Sequence, residues 1–434
     1  MKKGKSPFWA AVASIALAIV LLGCSDRENV IRFGWWGNPL RNTQTTAVLN
    51  MFGAEAGVHV EEFQAGFGDY WGMMQAQATS GGLPDVMQQD VAWLLSFQQS
   101  GLLVDLSPYI ANGVIDVSNI PAVVLEQGRI GEGIYGIPIG MNVATMIYDR
   151  TLLDGLGLSA PRNMTLDQFM ALSREIYARS GVRTNWASPD PINPLTAHLR
   201  AQGVQMFEPV PGGGWRMGGR PEHYRQFFDV IATGIAEGWH MRLEAWDGRD
   251  RFAQSTDPLV FPTGAENSNL RSWISIGWSN GIVGFQAVAP AGTELGMTTL
   301  PSANPQVSNF GRASMFLSIT AKTRDRDMAA RLVNFWLNSQ SAHDIMLAER
   351  GVIPNTVIAA AVYPRLSPGG QLQSEFVSWV NQTGNSTPFF PLRPEGSSEF
   401  LGELSLVTDM VMAGQLTPAA AAQRIFDFGN GVLR

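Results

Sequence analysis

Hydrophobic residues recur in this chain first on the short period of a strand and then on the longer period of a helix, and the switch repeats. Residues 30–37 (VIRFGWWG) read as an opening strand that ends in Trp35, Trp36 and a glycine. Residues 41–55 carry Val48, Leu49 and Phe52 on one helical face, with Gly57 as a stop signal. VHVEEF is a second strand, residues 70–79 a short helix, and residues 85–89 a third strand that delivers Asp90 at its C-terminal end. The following VAWLLSFQQSG is helical and packs Trp93, Leu94 and Phe97. This βαβαβα order predicts a mainly parallel sheet covered on both faces. Ligands of such sheets sit at the carboxyl ends of the strands, where Trp35, Trp36, Asn38 and Asp90 fall.

Residues 134–149 (IYGIPIGMNVATMIYD) organise the chain on either side of them. IYGIPIG reads as a short buried strand interrupted by Gly136 and Pro138. Proline cannot donate to a sheet ladder, which places Pro138 at an edge or at the exit from a sheet. VATMIYD reads as a new strand, and Gly140, Met141 and Asn142 between the two read as a crossing from one folded lobe to another.

Beyond it, Thr165 followed by Gln168 is a capping box. Phe169, Leu172 and Ile176 form the apolar stripe of a helix that stops at Gly181. Residues 185–219 are rich in Pro, Gly and Trp and show little periodicity, the mark of functional loops. Residues 227–238 are helical, 257–273 read as strand, turn and helix start, 292–304 have edge-strand character, and 313–319 form another strand. Residues 322–351 read as a helix pair with Ala329, Leu332, Val333 and Trp336 on one face. The tail is helical at 399–412 and 417–428, with Thr417 as cap and Pro418 in the first turn.

Composition changes this picture at the N-terminus first. Lys2, Lys3 and Lys5 precede an apolar run from 8 to 22, and LLGC ends at Cys24, the chain's one cysteine. This pattern reads as a secretory signal over residues 1–23 that ends in a bacterial lipobox, so Cys24 is expected to carry a lipid anchor to the cell membrane. With one cysteine there is no structural disulfide. Removing 23 of 434 residues leaves 411, enough for two or three domains. The formal charge moves from −7 to −10, because three lysines leave with the signal and only Lys322 is left. So acidic a chain argues against nucleic acid as a partner. Thirteen Trp is a large supply of a residue whose N–H needs a partner when buried, which suggests that some of them line a ligand surface.

No P-loop, HExxH, GxSxG or CxxC occurs. The histidines lack metal spacing, so neither a metal nor a cofactor is expected. The GGLPD turn is too short for a phosphate cradle. Asp90, Glu266 and Glu349 could converge in one cleft, which keeps a secreted glycoside-active enzyme as the alternative function. A lipid-anchored adhesion protein is a third.

Five segments, taken in order, resemble the extracellular solute-binding proteins of ABC importers, in the carbohydrate-specific lineage that includes maltose-binding protein. They are IRFGWWG, GDYWGMMQAQATSGGLPDVMQQD, YGIPIGMNVATMIYDRTLLDGLGL, AENSNLRSW, and the stretch from GRASMFLSITAKTRDRDMAARLVNFWLNS to ERGVIPN. One departure is Ile353 before Pro354, where the family often has the proline earlier. The resemblance implies a periplasmic-binding-protein-like α/β fold of two lobes with mixed, mainly parallel sheets and three interlobe crossings, near Gly140, near Ala289 and after Trp336. Lobe 1 would comprise residues 24–140 and 290–338, and lobe 2 residues 141–289 and 339–434. The expected function is high-affinity capture of a sugar, an oligosaccharide, by a monomer that delivers it to membrane permease subunits, with no covalent step.

A sugar is held by stacking its CH face on indoles and by hydrogen bonds to its hydroxyls. Trp35 and Trp36, adjacent in a strand, face opposite ways, and Trp36 is the one expected to face the cleft. Asn38 is a candidate against a plain turn residue, Asp90 against a helix N-cap, and Trp71 against helix packing. Asn142 sits in the crossing, and Ser268 and Asn269 follow a turn. Trp186 and Trp239 are candidate stacking platforms, whereas Trp273 could be helix core and Trp336 is core. Arg312 and Arg350 are candidates to reach the cleft, the alternative for Arg350 being a surface or interlobe ion pair.

Overall fold

In the computed structural model, the residues described are 30–37, 39–187, 190–248, 251, 253–261, 270–382, 384–386 and 394–434. The signal segment, Cys24, Asn38, Glu266, Ser268 and Asn269 therefore lie outside the described residues.

In chain order the elements that frame the molecule begin with β1 (Val30–Trp36), α1 (Pro39–Ala56), β2 (His59–Ala65), α2 (Phe67–Ser80), β3 (Val86–Gln89) and α3 (Val91–Gln99). Next come β4 (Ile137–Asp149), α4 (Leu166–Ser180), α5 (Pro221–Glu237), β5 (Ile274–Trp278), α6 (Gly281–Val288), β6 (Leu295–Thr298) and β7 (Gly311–Ile319). The chain closes with α7 (Arg326–Asn338), α8 (Gln340–Met346), α9 (Pro368–Val380), α10 (Ser397–Met412) and α11 (Pro418–Val432).

These elements form a mixed α/β fold around a seven-stranded sheet of order β6-β4-β7-β3-β1-β2, with β5 also paired to β4. β1 runs parallel to β2 and β3, while β7 is antiparallel to both β3 and β4. The local signals behave as their chemistry requires. The Thr165 hydroxyl accepts from the Gln168 N–H, the Gln168 side chain reaches back to the Thr165 N–H, and Gly181 ends the helix at φ 72°. Thr417 caps α11 with Pro418 in its first turn.

Instead of two short strands flanking a break at Gly140–Asn142, β4 is one continuous strand of 13 residues. Its first half, Ile137 to Val143, pairs with β7, and its second half pairs with β5 from Ala144 and with β6 from Met146. The continuity depends on Gly140. A β-carbon there would stand 2.1 Å from the Arg350 carbonyl oxygen and 2.5 Å from the Ser314 hydroxyl, so only glycine lets segment 350–352 lie across the strand. Met141 and Val352 exchange both backbone hydrogen bonds at that point, and Gly351 makes the approach at φ 106°.

Two hydrophobic cores sit at the two ends of β4. The first contains Phe33, Trp35, Leu49, Phe335, Trp336 and Phe376, and the second Phe169, Trp186, Tyr224, Trp239, Trp273 and Phe400. After β4 the chain contributes to both cores in turn: Leu259, Val260, Ile282, Phe285, Leu295 and Met297 pack in the first, Leu300 and Phe310 in the second, and β7 again in the first. Ala342 and Met346 of α8, and Phe376, Val377 and Val380 of α9, pack in the first core; only from Ser397 onward does the tail join the second. An amphipathic helix states that one face is buried but not against which partner. For α8 that partner is α1, and Gln44 donates to the Ile345 carbonyl across their contact (2.9 Å).

The region 185–219, expected to be loop, contains a buried helix over Ile192–Ala201 and a hairpin of Phe207–Pro209 with Trp215–Met217. Seven consecutive residues of that helix, Asn193 to Leu199, are buried, the polar Asn193, Thr196 and His198 among them.

Three buried histidines tie the fold to pH. Burial lowers His198, His240 and His343 from 6.5 to about 4. His240 shows why: its Nε2 accepts from the Trp186 N–H (3.2 Å), so its Nδ1 carries the proton and donates to the Met241 carbonyl (2.7 Å). A second proton would turn that acceptor into a donor facing a donor. Because the folded pKa is depressed, the unfolded chain binds more protons between pH 6.5 and 4, and stability falls as pH drops through that window. Each histidine is expected to withdraw about 3 kcal/mol by pH 4. Guanidinium unfolding of wild type and His240→Gln at pH 7 and 4.5 tests this: the variant should lose less stability on acidification, and an unchanged loss would refute the assignment.

Candidate ligand-binding cleft

The three parallel strands β1, β2 and β3 end on one side of the first core, at Trp36, Ala65 and Gln89, and each hands over to the N-terminus of a helix. Backbone N–H groups at three helix starts and the side chains of the strand ends therefore share one rim.

Adjacent residues in β1 face opposite ways, and here the two tryptophans divide accordingly. Trp35 turns to α1, fully buried, and its indole N–H donates to Asn42 Oδ1 (2.9 Å). Trp36 turns to α2, where its ring centroid lies 5.5 Å from Phe67, 5.3 Å from Tyr70 and 5.5 Å from Trp71. Trp71 in turn stacks on Trp93 (5.1 Å, 18° between planes). Phe67, at the first position of α2, is 55% exposed and forms the outer edge of this aromatic wall. Trp36 is only 6% exposed, so it supports the wall from within. Asp90 caps α3, accepting from the Ala92 N–H (2.8 Å), and is half-buried.

Below the rim, the Trp36 carbonyl accepts from Gln88 Nε2 (3.2 Å) and Arg41 (3.4 Å). Both belong to a buried network. Arg41 Nε contacts both Glu349 oxygens (2.8 and 3.0 Å), and Glu349 lies 3.6 Å from Arg350. Arg350 donates to Gln88 Oε1 (3.2 Å) and Thr45 Oγ1 (2.6 Å), with its guanidinium carbon 5.0 Å from the Trp336 ring centre. Arg350 thus lies inside the first core; neither the cleft nor a surface ion pair describes it. Burial, with Arg41 alongside, pushes its guanidinium down to about 9.

At the passage between the cores, Asn142 and Arg312 are register partners on β4 and β7. Asn142 is buried and accepts from Gln373 Nε2 of α9 (3.3 Å); Arg312 lies over the Trp278 ring at 4.2 Å. Gln127 closes the free edge of β7, accepting from the Ala313 N–H (2.6 Å) and donating to the Gly311 carbonyl. From the second core, Arg162 lies 4.5 Å over Trp379 of α9.

Trp186 and Trp239, expected to offer stacking faces, are buried at 1% exposure each. Trp239 donates to Glu237 (2.6 Å), and Trp186 packs on Phe169 (5.0 Å) with an indole N–H that has no partner among the described residues. Sequence marks a tryptophan as large but not as covered. Gln89, Trp93, Gln127 and Gln373 were not picked out from sequence. The signal for Gln89 was available: it is the last residue of the third strand, immediately before Asp90.

Of the three carboxylates considered for hydrolysis, Glu349 is clamped by Arg41 and Asp90 is occupied as a cap. Among the described residues no cluster of His, Cys, Asp or Glu could hold a metal, and no helix is long and apolar enough to cross a membrane. A cavity of about 470 Å³, lined by Val124, Met141, Val352 and Tyr363 among others, lies beside segment 352–356 and contains none of the rim residues.

The family model for bacterial extracellular solute-binding proteins matches residues 47–365, and the chain belongs to that family. Solved structures share its fold. A family 1 extracellular solute-binding protein from Alicyclobacillus acidocaldarius is 22% identical with a TM-score of 0.76, over 93% of this chain and 98% of that one. A periplasmic oligogalacturonide binding protein from Yersinia enterocolitica is 19% identical with a TM-score of 0.71, again over 93% and 98%. The GacH receptor of Streptomyces glaucescens, solved unliganded and with acarbose, is 18% identical with a TM-score of 0.65, over 92% and 97%.

Proposed function

We propose that this chain captures an extracellular carbohydrate, an oligosaccharide, and presents it to the permease of an ABC importer, held at the membrane by lipid on Cys24. The observation that carries this reading is the aromatic wall of Trp36, Phe67, Trp71 and Trp93 at the carboxyl ends of three parallel strands. Stacked rings match the apolar face of a sugar, and the helix starts and Asp90 beside them offer donors and acceptors for its hydroxyls. The carbohydrates named for the Yersinia and Streptomyces relatives support the same class of ligand. The ligand would lie between the two lobes, and the passages between them would bend to enclose it. Binding rather than catalysis is the proposed role, since Glu349 has no freedom to act as an acid or base beside Arg41.

Isothermal titration of the protein without its signal segment against neutral and uronic oligosaccharides, with peptides as controls, tests the proposal. Saturable binding of one saccharide class without hydrolysis is the expected result. Binding of a peptide and of no saccharide would overturn it.

A further inference from the structure

Two polar groups beside the aromatic wall stand unpaired among the described residues. The Trp71 indole N–H and the Gln89 side-chain oxygen are both buried, and neither has a hydrogen-bond partner among the described residues. The other end of the Gln89 amide meets only the Met87 sulfur, at 3.9 Å. A buried polar group left unpaired is costly, and a folded protein seldom keeps one without a purpose.

Both lie at the Trp36 end of the sheet. Gln89 ends β3, and the parallel register Phe33↔Val86 and Gly34↔Met87, continued by two residues, would set it beside Trp36 on the same face. Trp71 meets Trp36 on that face, ring to ring at 5.5 Å. One group can only donate and the other, through its oxygen, can only accept. A hydroxyl does both and would satisfy the two at once. An ionised carboxylate could accept from Trp71 but has nothing to give Gln89, and would leave that oxygen facing negative charge.

We infer that Gln89 and Trp71 form a specificity-determining pair that receives one hydroxyl of a sugar residue and disfavours a carboxylate at that position, so that a neutral sugar fits this part of the cleft in more orientations than a uronic one. The inference rests on the carbohydrate-binding reading above. Gln89 contributes through the ligand and not through the fold. Replacing it by an apolar residue of similar size removes an unsatisfied buried group and gives the unliganded protein equal or greater stability.

The experiment compares wild type, Gln89→Leu, Trp71→Phe and the double variant. Each is titrated with maltotriose, cellotriose and digalacturonate, and each is unfolded in guanidinium without ligand. Each single change should weaken binding of a neutral trisaccharide about tenfold, and the double variant should lose much less than the product of the two, because both groups serve one hydroxyl. Gln89→Leu should unfold no earlier than wild type. If Gln89→Leu binds as well as wild type, or if it is less stable with affinity unchanged, the pair is only a packing feature and the inference falls. Fully multiplicative losses would mean two separate contacts and would also overturn it. If wild type binds digalacturonate and no neutral sugar, the inference falls while the carbohydrate reading stands. If it binds no saccharide of any kind, both fall together.

Discussion

Glu349→Gln is expected to destabilise the protein by about 3 kcal/mol, among the largest single effects in the molecule. Glu349 is in contact with both Arg41 and Arg350. Arg350 is 5% exposed, and burial beside Arg41 already holds its guanidinium down at about 9. Removing the negative charge takes away the carboxylate that lies against both guanidinium groups. The amide of glutamine returns a single acceptor where Arg41 had two. Arg350 would still reach Gln88 and Thr45, so local unpacking rather than collapse is expected. Chemical denaturation at pH 7 reads the effect, and a loss under about 1 kcal/mol would mean that water already screens the cluster. Ligand affinity should drop as well, since Gln88 and Arg41 both fix the Trp36 carbonyl at the rim.

The second large effect is at Trp36. From sequence, Trp36→Ala would weaken sugar binding and leave the fold intact. The structure removes the second half of that expectation. Trp36 is 6% exposed and touches three aromatic rings, so truncation to alanine is expected to cost about 3–5 kcal/mol of stability in addition to affinity. Trp36→Phe, which keeps an aromatic surface, should cost well under half of that. The two variants separate support from contact. If the phenylalanine variant binds ligand normally, Trp36 acts by holding Phe67 and Trp71 in place. A stable, fully folded alanine variant would contradict the packing of Trp36 against α2.

How much of the fold and the cleft was legible in the sequence depends on what each signal can encode. Caps are local chemistry, and Thr165, Gln168, Gly181, Thr417 and Pro418 behave as read. The first βαβαβ run was equally plain, because its strands and helices alternate on different periods. The helix at Ile192–Ala201 was not, since it is short, carries Pro194, and stands among Pro-, Gly- and Trp-rich neighbours that read as loop. The partner of α8 was hidden for another reason: one apolar face fits either core, and contact with α1 is decided by the path of the whole chain. Asp90 could be read either way from sequence, and its contact with Ala92 shows the capping role. Gln89 and Arg350 show a third limit. Whether a polar side chain is satisfied depends on neighbours far away in sequence, such as Thr45 for Arg350.

The place of β7 in the sheet also governs when the molecule can be completed. β7 lies between β3 and β4, yet it is made up of residues Gly311–Ile319, long after both neighbours have left the ribosome. Until then β3 and β4 each present an unpaired edge, and the first core lacks its central strand. Nearly three-quarters of the chain must be synthesised before that gap can close, and contacts so distant in sequence form slowly.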